Sequence, residues 1–274
     1  MNQGPFKVIT PTSCKDYRDL VRGLTRAAWP QFMLHDSVAA ENWHELLDRF
    51  AEYQVALYDT ENKRVAAMGN SFPLKWEDSL QNLPEGGWDW AFAEAVYQHK
   101  QGLAPNIQCA IQVVIRKEYQ GQGVSAKPLQ ALHEIGKTKG FQHLIVPVRP
   151  NEKSRYPLIS IDDYMTWKTE EGLPFDAWLR VHARLGGEII KACHESKIIR
   201  GRRAEWEAWT GLKFPQNGWY IIPGALNPIE VNVEEDTGIY IEPNVWMGHR
   251  ITMEHNAITA MDIELSNTKE YHEY

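Results

Sequence analysis

Cysteine is scarce in this chain: three in 274 residues, at positions 14, 109 and 193, with no CxxC pair. An odd number so widely spaced builds neither a disulfide framework nor a thiolate zinc site, and it fits a reducing compartment. Long apolar runs are missing too. No stretch approaches the ~20 residues that a membrane-spanning helix needs, so no membrane association is expected. The opening MNQGPFKVITPTS has neither the basic start nor the apolar core of a secretory signal, and the expectation is a cytoplasmic protein. Positive charge is not in excess: 29 Lys and Arg stand against 36 Asp and Glu. Clustered cations are what hold phosphates, so nucleic acid is not an expected partner. The densest basic cluster, Arg200-Gly-Arg202-Arg203, runs straight into Glu205 and Glu207 and reads as a solvated turn and helix start. His133-Glu134 and His194-Glu195 have no metal-ligating partner at i,i+4 spacing, and no metal is expected.

What is present describes a soluble globular chain, 43% hydrophobic and 24% charged, long enough for a substantial core. Of its 11 tryptophans, Trp88, Trp90, Trp167, Trp178, Trp206 and Trp209 sit among polar neighbours, which suggests pocket walls as well as core. Residues 6–10 read as a strand. Apolar residues at 3–4 spacing predict helices over 14–28 and 39–51. Residues 54–59 and 64–68 flank a polar turn and predict a hairpin. A short helix is expected around 90–97, a strand over 108–115, a helix over 124–139 ending at Gly140, and a strand over 142–148. A polar connection covers 149–174. Then come a helix over 175–185, a strand over 188–192, a short helix over 203–210 and hairpin-like segments near 219–222, 229–233 and 239–241. The tail 262–274 reads as frayed. The order predicts an α/β fold, a mixed sheet flanked by helices.

One stretch carries chemistry: Tyr119-Gln-Gly-Gln-Gly-Val-Ser-Ala-Lys-Pro128, between a strand and a helix. Gly121 and Gly123 let backbone N–H groups reach a ligand, and the helix that follows turns its positive end to the same place. Pro128 falls in the first helical turn, where its missing donor costs little. Without GxGxxG or GK[ST], dinucleotide and Walker sites are not indicated, and a plain connection is the competing reading.

Residues 114–125 resemble motif A of the GNAT acyltransferases, Q/R-x-x-G-x-G/A. Gln120 stands at its first position, Gly123 at its fourth, and Ser125 where Gly or Ala is usual. The segment His182-Ala-Arg-Leu-Gly186 is similar to the family's Tyr-x-x-Leu-Gly, with His182 in place of the tyrosine that protonates the departing thiolate. Asn151 and Ser154 match its Asn-x-x-Ala, with Ser for Ala. The resemblance covers about residues 6–200 and implies a GNAT fold with a mostly antiparallel sheet. It also implies acetyl-CoA or another acyl-CoA as co-substrate. Val114 and Ile115 would pair with the pantetheine arm, Gln120, Gly121, Gln122, Gly123, Val124 and Ser125 would cradle the pyrophosphate, and Asn151 and Ser154 would lie beside CoA. The domain plan is a core over 1–200, an insertion at about 150–174 and a β-rich extension over 201–274, like the longer bacterial GNAT proteins.

Acyl transfer to an amine needs a neutral nucleophile, a polarised carbonyl and a proton for the thiolate. His182 is the candidate acid, or else a structural histidine. The strand 106–112 offers no carboxylate; Gln108 and Gln112, at even spacing, share one face and either orient a water or the acceptor or face solvent. Asp89, Glu94, Asp162 and Asp163 are the carboxylates expected near the acceptor, each either a base or, as such residues more often are, a helix cap or surface charge, and 158–174 is expected to overhang it. The resulting expectation is an N-acyltransferase acting on a small amine in a ternary complex, with a homodimer left open. The alternatives are a silent CoA-binding sensor or assembly protein, or an O-acyltransferase.

Overall fold

Residues 5–251 are described by the structure, a computed structural model; the tail 262–274 lies outside the described residues. No helix among them is long and apolar enough to cross a membrane. The strands form one sheet. β1 (Phe6–Ile9), β2 (Gln54–Asp59), β3 (Arg64–Leu74) and β4 (Ile107–Ile115) pair in sequence, each antiparallel to the next. β5 (His143–Val148) then lies parallel to β4, paired only at Gln108↔Leu144 and Cys109↔Ile145. β6 (Gly187–Gly201) and β9 (Thr237–Arg250) are the longest strands after it. β9 inserts between β5 and β6, so the C-terminal extension completes the sheet. β7 (Gly218–Tyr220) and β8 (Ile229–Asn232) continue from the edge of β9 that β5 leaves open.

Helices cover the sheet: α1 (Tyr17–Val21), α2 (Leu24–Ala28), α3 (Ser37–Asn42), α4 (Glu45–Asp48), α5 (Gly87–Lys100), α6 (Ala126–Thr138), α7 (Ile161–Thr166), α8 (Ala177–Arg184) and α9 (Arg203–Thr210). The single helix expected over 14–28 is two, because Gly23 takes φ +79° and breaks the ladder between them. The helix expected over 39–51 likewise divides into α3 and α4. α6 starts two residues later than read, with Ser125 at its N-cap and Pro128 in its first turn.

The strand read as 188–192 runs to Gly201, and the segment read as 239–241 is part of a 14-residue strand. Two irregularities hide them from an alternation test. β6 shifts register between Cys193 and Lys197, so residues 194–196 bulge. Pro243, which has no N–H for a ladder, lies opposite that bulge between Glu242↔Lys197 and Asn244↔Cys193.

The main core lies between sheet and helices. Phe92 of α5 stacks on Phe72 of β3 at 5.3 Å, and Trp88 meets Phe92 edge-on at 5.5 Å. Each such buried ring contributes roughly 1.5–3 kcal/mol of burial free energy. A second core joins α9 to the segment before α3, where Trp206 contacts Phe32 at 5.8 Å.

Candidate active site

Beyond Cys109 and Ile145, β4 and β5 splay apart. The fork opens a cavity of about 520 Å³, walled by residues 110–115 of β4 and 146–149 at the end of β5. Gln120, Gly121 and Ser125 bound one end of it, α8 covers a side, and Trp29, Trp88 and Lys197 close the other end.

The loop at the first end is shaped by two glycines, Gly121 at φ +73° and Gly123 at φ +70°. A Cβ on either would meet nothing within 4 Å, so the loop faces open space. Gln120 donates to the carbonyl of Ile115 (3.2 Å) and Gln122 to that of Glu118 (2.7 Å), so both side chains brace the loop. Val124 is buried against Leu57 and Tyr119. Ser125 makes no side-chain cap bond to α6, and its residue lines the cavity. Val114 and Ile115 line the cavity, and the Val114 side chain also packs with Met68 and Leu24. Asn151 lines it as well, whereas Ser154 sits in the 3-10 turn Lys153–Arg155 and does not.

A second cavity of about 580 Å³ lies under α1–α4, over β3 and β4. The two cavities share four lining residues: Trp29, Trp88, Gln112 and Lys197. Gln112 reaches this junction because of a bulge. Asn70 pairs with Gln112 but Ser71 pairs with Ala110, leaving Ile111 in excess. The even spacing of Gln108 and Gln112 therefore does not put them on one face, since an extra residue reverses the alternation. Gln112 accepts from Thr25 of α2 (3.2 Å), while Gln108 is fully buried on the other face and donates to Ser71 (2.7 Å). Cys109 is core, as expected from its position.

His182, on α8, lines the first cavity and is fully buried. Its Nδ1 lies 2.9 Å from Nε2 of His249, and its Nε2 has no hydrogen-bond partner among the described residues. Burial, reinforced by His249, pushes its pKa well below the usual histidine value. The ring is neutral at physiological pH.

The carboxylates separate. Asp89 stands beside the junction, 3.0 Å from the Lys197 ammonium, which also lies 2.6 Å from Asp36 and 3.1 Å from the centre of the Trp88 ring. Glu94 accepts from Gln98 one turn on, and the Asp163 carboxylate accepts from the hydroxyl of Ser160, the N-cap of α7, at 2.8 Å. Asp162 binds His194, so it ties α7 to β6. No residue of the segment 158–174, expected to overhang the acceptor, lines either cavity. Its own aromatic cluster (Tyr156, Tyr164, Trp167 and Phe175) holds it together, and its α7 packs on β6 and β9.

A curated relative, the arginine N-acetyltransferase avaD of Aspergillus versicolor, is 31% identical over 249 residues, which span 81% of this chain and 85% of that protein. The chain belongs to the GNAT N-acetyltransferase family. It is an enzyme, an acetyltransferase, and acetyl-CoA is the co-substrate typical of that family. No protein-family model matches it. Among solved structures, the loading GNATL domain of CurA from Lyngbya majuscula superposes with a TM-score of 0.58 at 16% identity, over 90% of this chain and 98% of that one. A GNAT-like decarboxylase, GphF, in complex with isobutyryl-CoA gives 0.52 at 13% identity, over 91% and 100%. Both likenesses are of fold.

In this GNAT chain the glycine loop is bare and borders the same cavity that reaches the junction. Lys197, at the junction, lies past the bulge of β6 and beyond the segment 188–192 read as a strand. Asp36 beside it, and Tyr17 and Asn70 in the second cavity, carry no functional signal in the sequence.

Proposed function

We propose that the protein transfers an acetyl group from acetyl-CoA to the nitrogen of a small amine by direct attack in a ternary complex, with arginine the first acceptor to test. The observation that carries this reading is the meeting of two cavities at Trp29, Trp88, Gln112 and Lys197. The donor occupies the fork: main-chain N–H groups of residues 120–125 hold its pyrophosphate at the start of α6, and the edge of β4 at Val114 and Ile115 pairs with its pantetheine arm. Asn151 flanks it. His182, neutral and with its unpartnered Nε2 on the same cavity, takes the proton that the attacking nitrogen sheds and delivers it as acid to the departing thiolate, and Gln112 orients the acceptor or a water.

The second cavity suits an amino-acid-like amine. Three of its lining residues carry a polar atom with no partner among the described residues: the hydroxyl of buried Tyr17, the indole N–H of Trp29 and the side-chain oxygen of Asn70. Arg18, Arg22 and Arg26 line its wall; Arg18 and Arg22 are paired with Asp48 and Asp19, Arg26 favours a carboxylate, and Trp43 offers a ring face to a cation. The name of the avaD relative supports arginine, which carries an amine, a carboxylate and a guanidinium. The test is thiol release from acetyl-CoA and longer acyl-CoAs against a panel of amines including arginine and alcohols. Turnover with an amino-acid amine and acetyl-CoA is the expected result. Turnover with alcohols alone, or tight acetyl-CoA binding without turnover on any acceptor, overturns the reading.

A further inference from the structure

Three charged side chains meet beside the junction, and they do not balance. The ammonium of Lys197 lies between Asp36 Oδ2 (2.6 Å) and Asp89 Oδ1 (3.0 Å). Lys197 and Asp36 are buried, and the Asp89 side chain is 17% exposed. With both carboxylates ionised the triad carries one net negative charge away from water, a condition that costs several kcal/mol unless it is relieved. One proton brings it to neutrality.

The groups are also held in place. Asp36 Oδ1 accepts from the backbone N–H of Ala39 at 2.7 Å, as the N-cap of α3. Asp89 Oδ2 accepts from the N–H of Ile198 at 3.1 Å. The third side of the ammonium rests on the Trp88 ring. The charged groups facing Asp89 are therefore Lys197 from β6 and Asp36 from the turn before α3. Of the three, Lys197 is the member that lines both cavities.

An amine acceptor arrives largely as an ammonium and must shed a proton before it attacks a thioester. We propose that Asp89, held with Asp36 on the Lys197 ammonium, is the final acceptor of that proton; this rests on the acceptor reading given above. Lys197 passes one of its protons to Asp89 and takes one from the acceptor ammonium, so the triad becomes neutral and the acceptor becomes a neutral amine. The nitrogen then bonds to the thioester carbonyl carbon and the carbon–sulfur bond breaks. The second proton lost by nitrogen leaves with the thiolate as a thiol. Burial pushes Asp89 up to about 7, against the pull of Lys197 and with repulsion from Asp36, which matches the affinity a base working near neutrality requires.

Two measurements test this. In wild type, kcat/KM for arginine should fall on the acid side of about pH 7. Asp89→Asn should lower it by about 100-fold and abolish that limb, with KM for acetyl-CoA unchanged. A uniform loss that keeps the limb makes Asp89 structural and overturns the proposal. The second measurement uses the free wild-type protein with isotope-labelled aspartate carboxyls. One resonance should titrate near 7 and vanish in Asp89→Asn, with Asp36→Asn displacing it. If every aspartate titrates in the ordinary range the proposal fails, even where Asp89→Asn does not fold. If no amine is acetylated at all, the acceptor reading fails and, with it, the role of the triad in transfer; the titration then decides the proton site alone.

Discussion

Trp88 donates its indole N–H to the carbonyl of Ile111 at 2.8 Å, and Ile111 is the residue that β4 carries in excess of β3. The indole thus binds the backbone at the bulge itself. The same ring supports the Lys197 ammonium and lines both cavities. Trp88→Phe keeps most of the ring but removes that buried hydrogen bond. We expect a loss of about 1–3 kcal/mol in chemical denaturation. In kinetics, KM for the acceptor should rise more than KM for acetyl-CoA. Unchanged acceptor kinetics would remove Trp88 from the junction.

Gly121 and Gly102 make a matched pair. Both have φ near +70° and open space where a Cβ would go, but only Gly121 lines the fork cavity. Valine at either should cost about 1–2 kcal/mol of backbone strain. Gly121→Val should also weaken acetyl-CoA by at least about 10-fold in calorimetric titration, because its side chain enters the space a phosphate would fill. Equal affinities in the two variants would refute the cradle.

His182→Ala removes the ring at the fork and leaves His249 without its partner. The expected outcome is a fall in kcat of about 100-fold with acetyl-CoA affinity held within about threefold. A surviving kcat would end its role as acid.

The same pair of rings sets a pH dependence. Burial holds His182 well below the ordinary histidine value, and holds His249 down to about 4 although the Leu185 carbonyl opposes the shift. Groups whose folded pKa is depressed contribute stability above their unfolded value of about 6.5 and lose it as pH falls toward the folded pKa. Denaturation midpoints of the wild type should therefore drop below about pH 6.5, and His182→Ala should flatten that slope.

His194 has the opposite sign. Asp162 and Glu85 bond its two ring nitrogens at 2.8 and 2.7 Å and raise its pKa. Its contribution is complete below the unfolded value and fades as pH rises through the raised one. Hydrogen-exchange protection of α7, corrected for intrinsic rates, should decline over that rise, and His194→Ala should remove the dependence.

The glycine loop was legible because its conformation is local. Two positive-φ glycines and a proline in the first turn act within ten residues, and a tertiary context need not be known to read them. The order of strands and helices through β5 was legible for the same reason, but α7 (Ile161–Thr166) falls in the stretch 149–174 read as a polar connection, because a six-residue helix is too short to show a period. The breaks at Gly23 and within 39–51 were not legible, because a 3–4 apolar spacing persists across the interruption. Gln108 and Gln112 misled for a related reason: period-two reasoning assumes no bulge, and a bulge depends on the partner strand.

The sequence by itself determined the anion-ready turn ahead of α6, the family likeness and the acidic, cysteine-poor character of the chain. Tertiary structure alone decided what stands at the junction. Lys197 meets Asp89 across 108 positions of chain and rests on the ring of Trp88. His182 meets His249 only because β9 inserts between β5 and β6. Such contacts depend on strand register and bulges far apart in the chain, and no local pattern of residues encodes them.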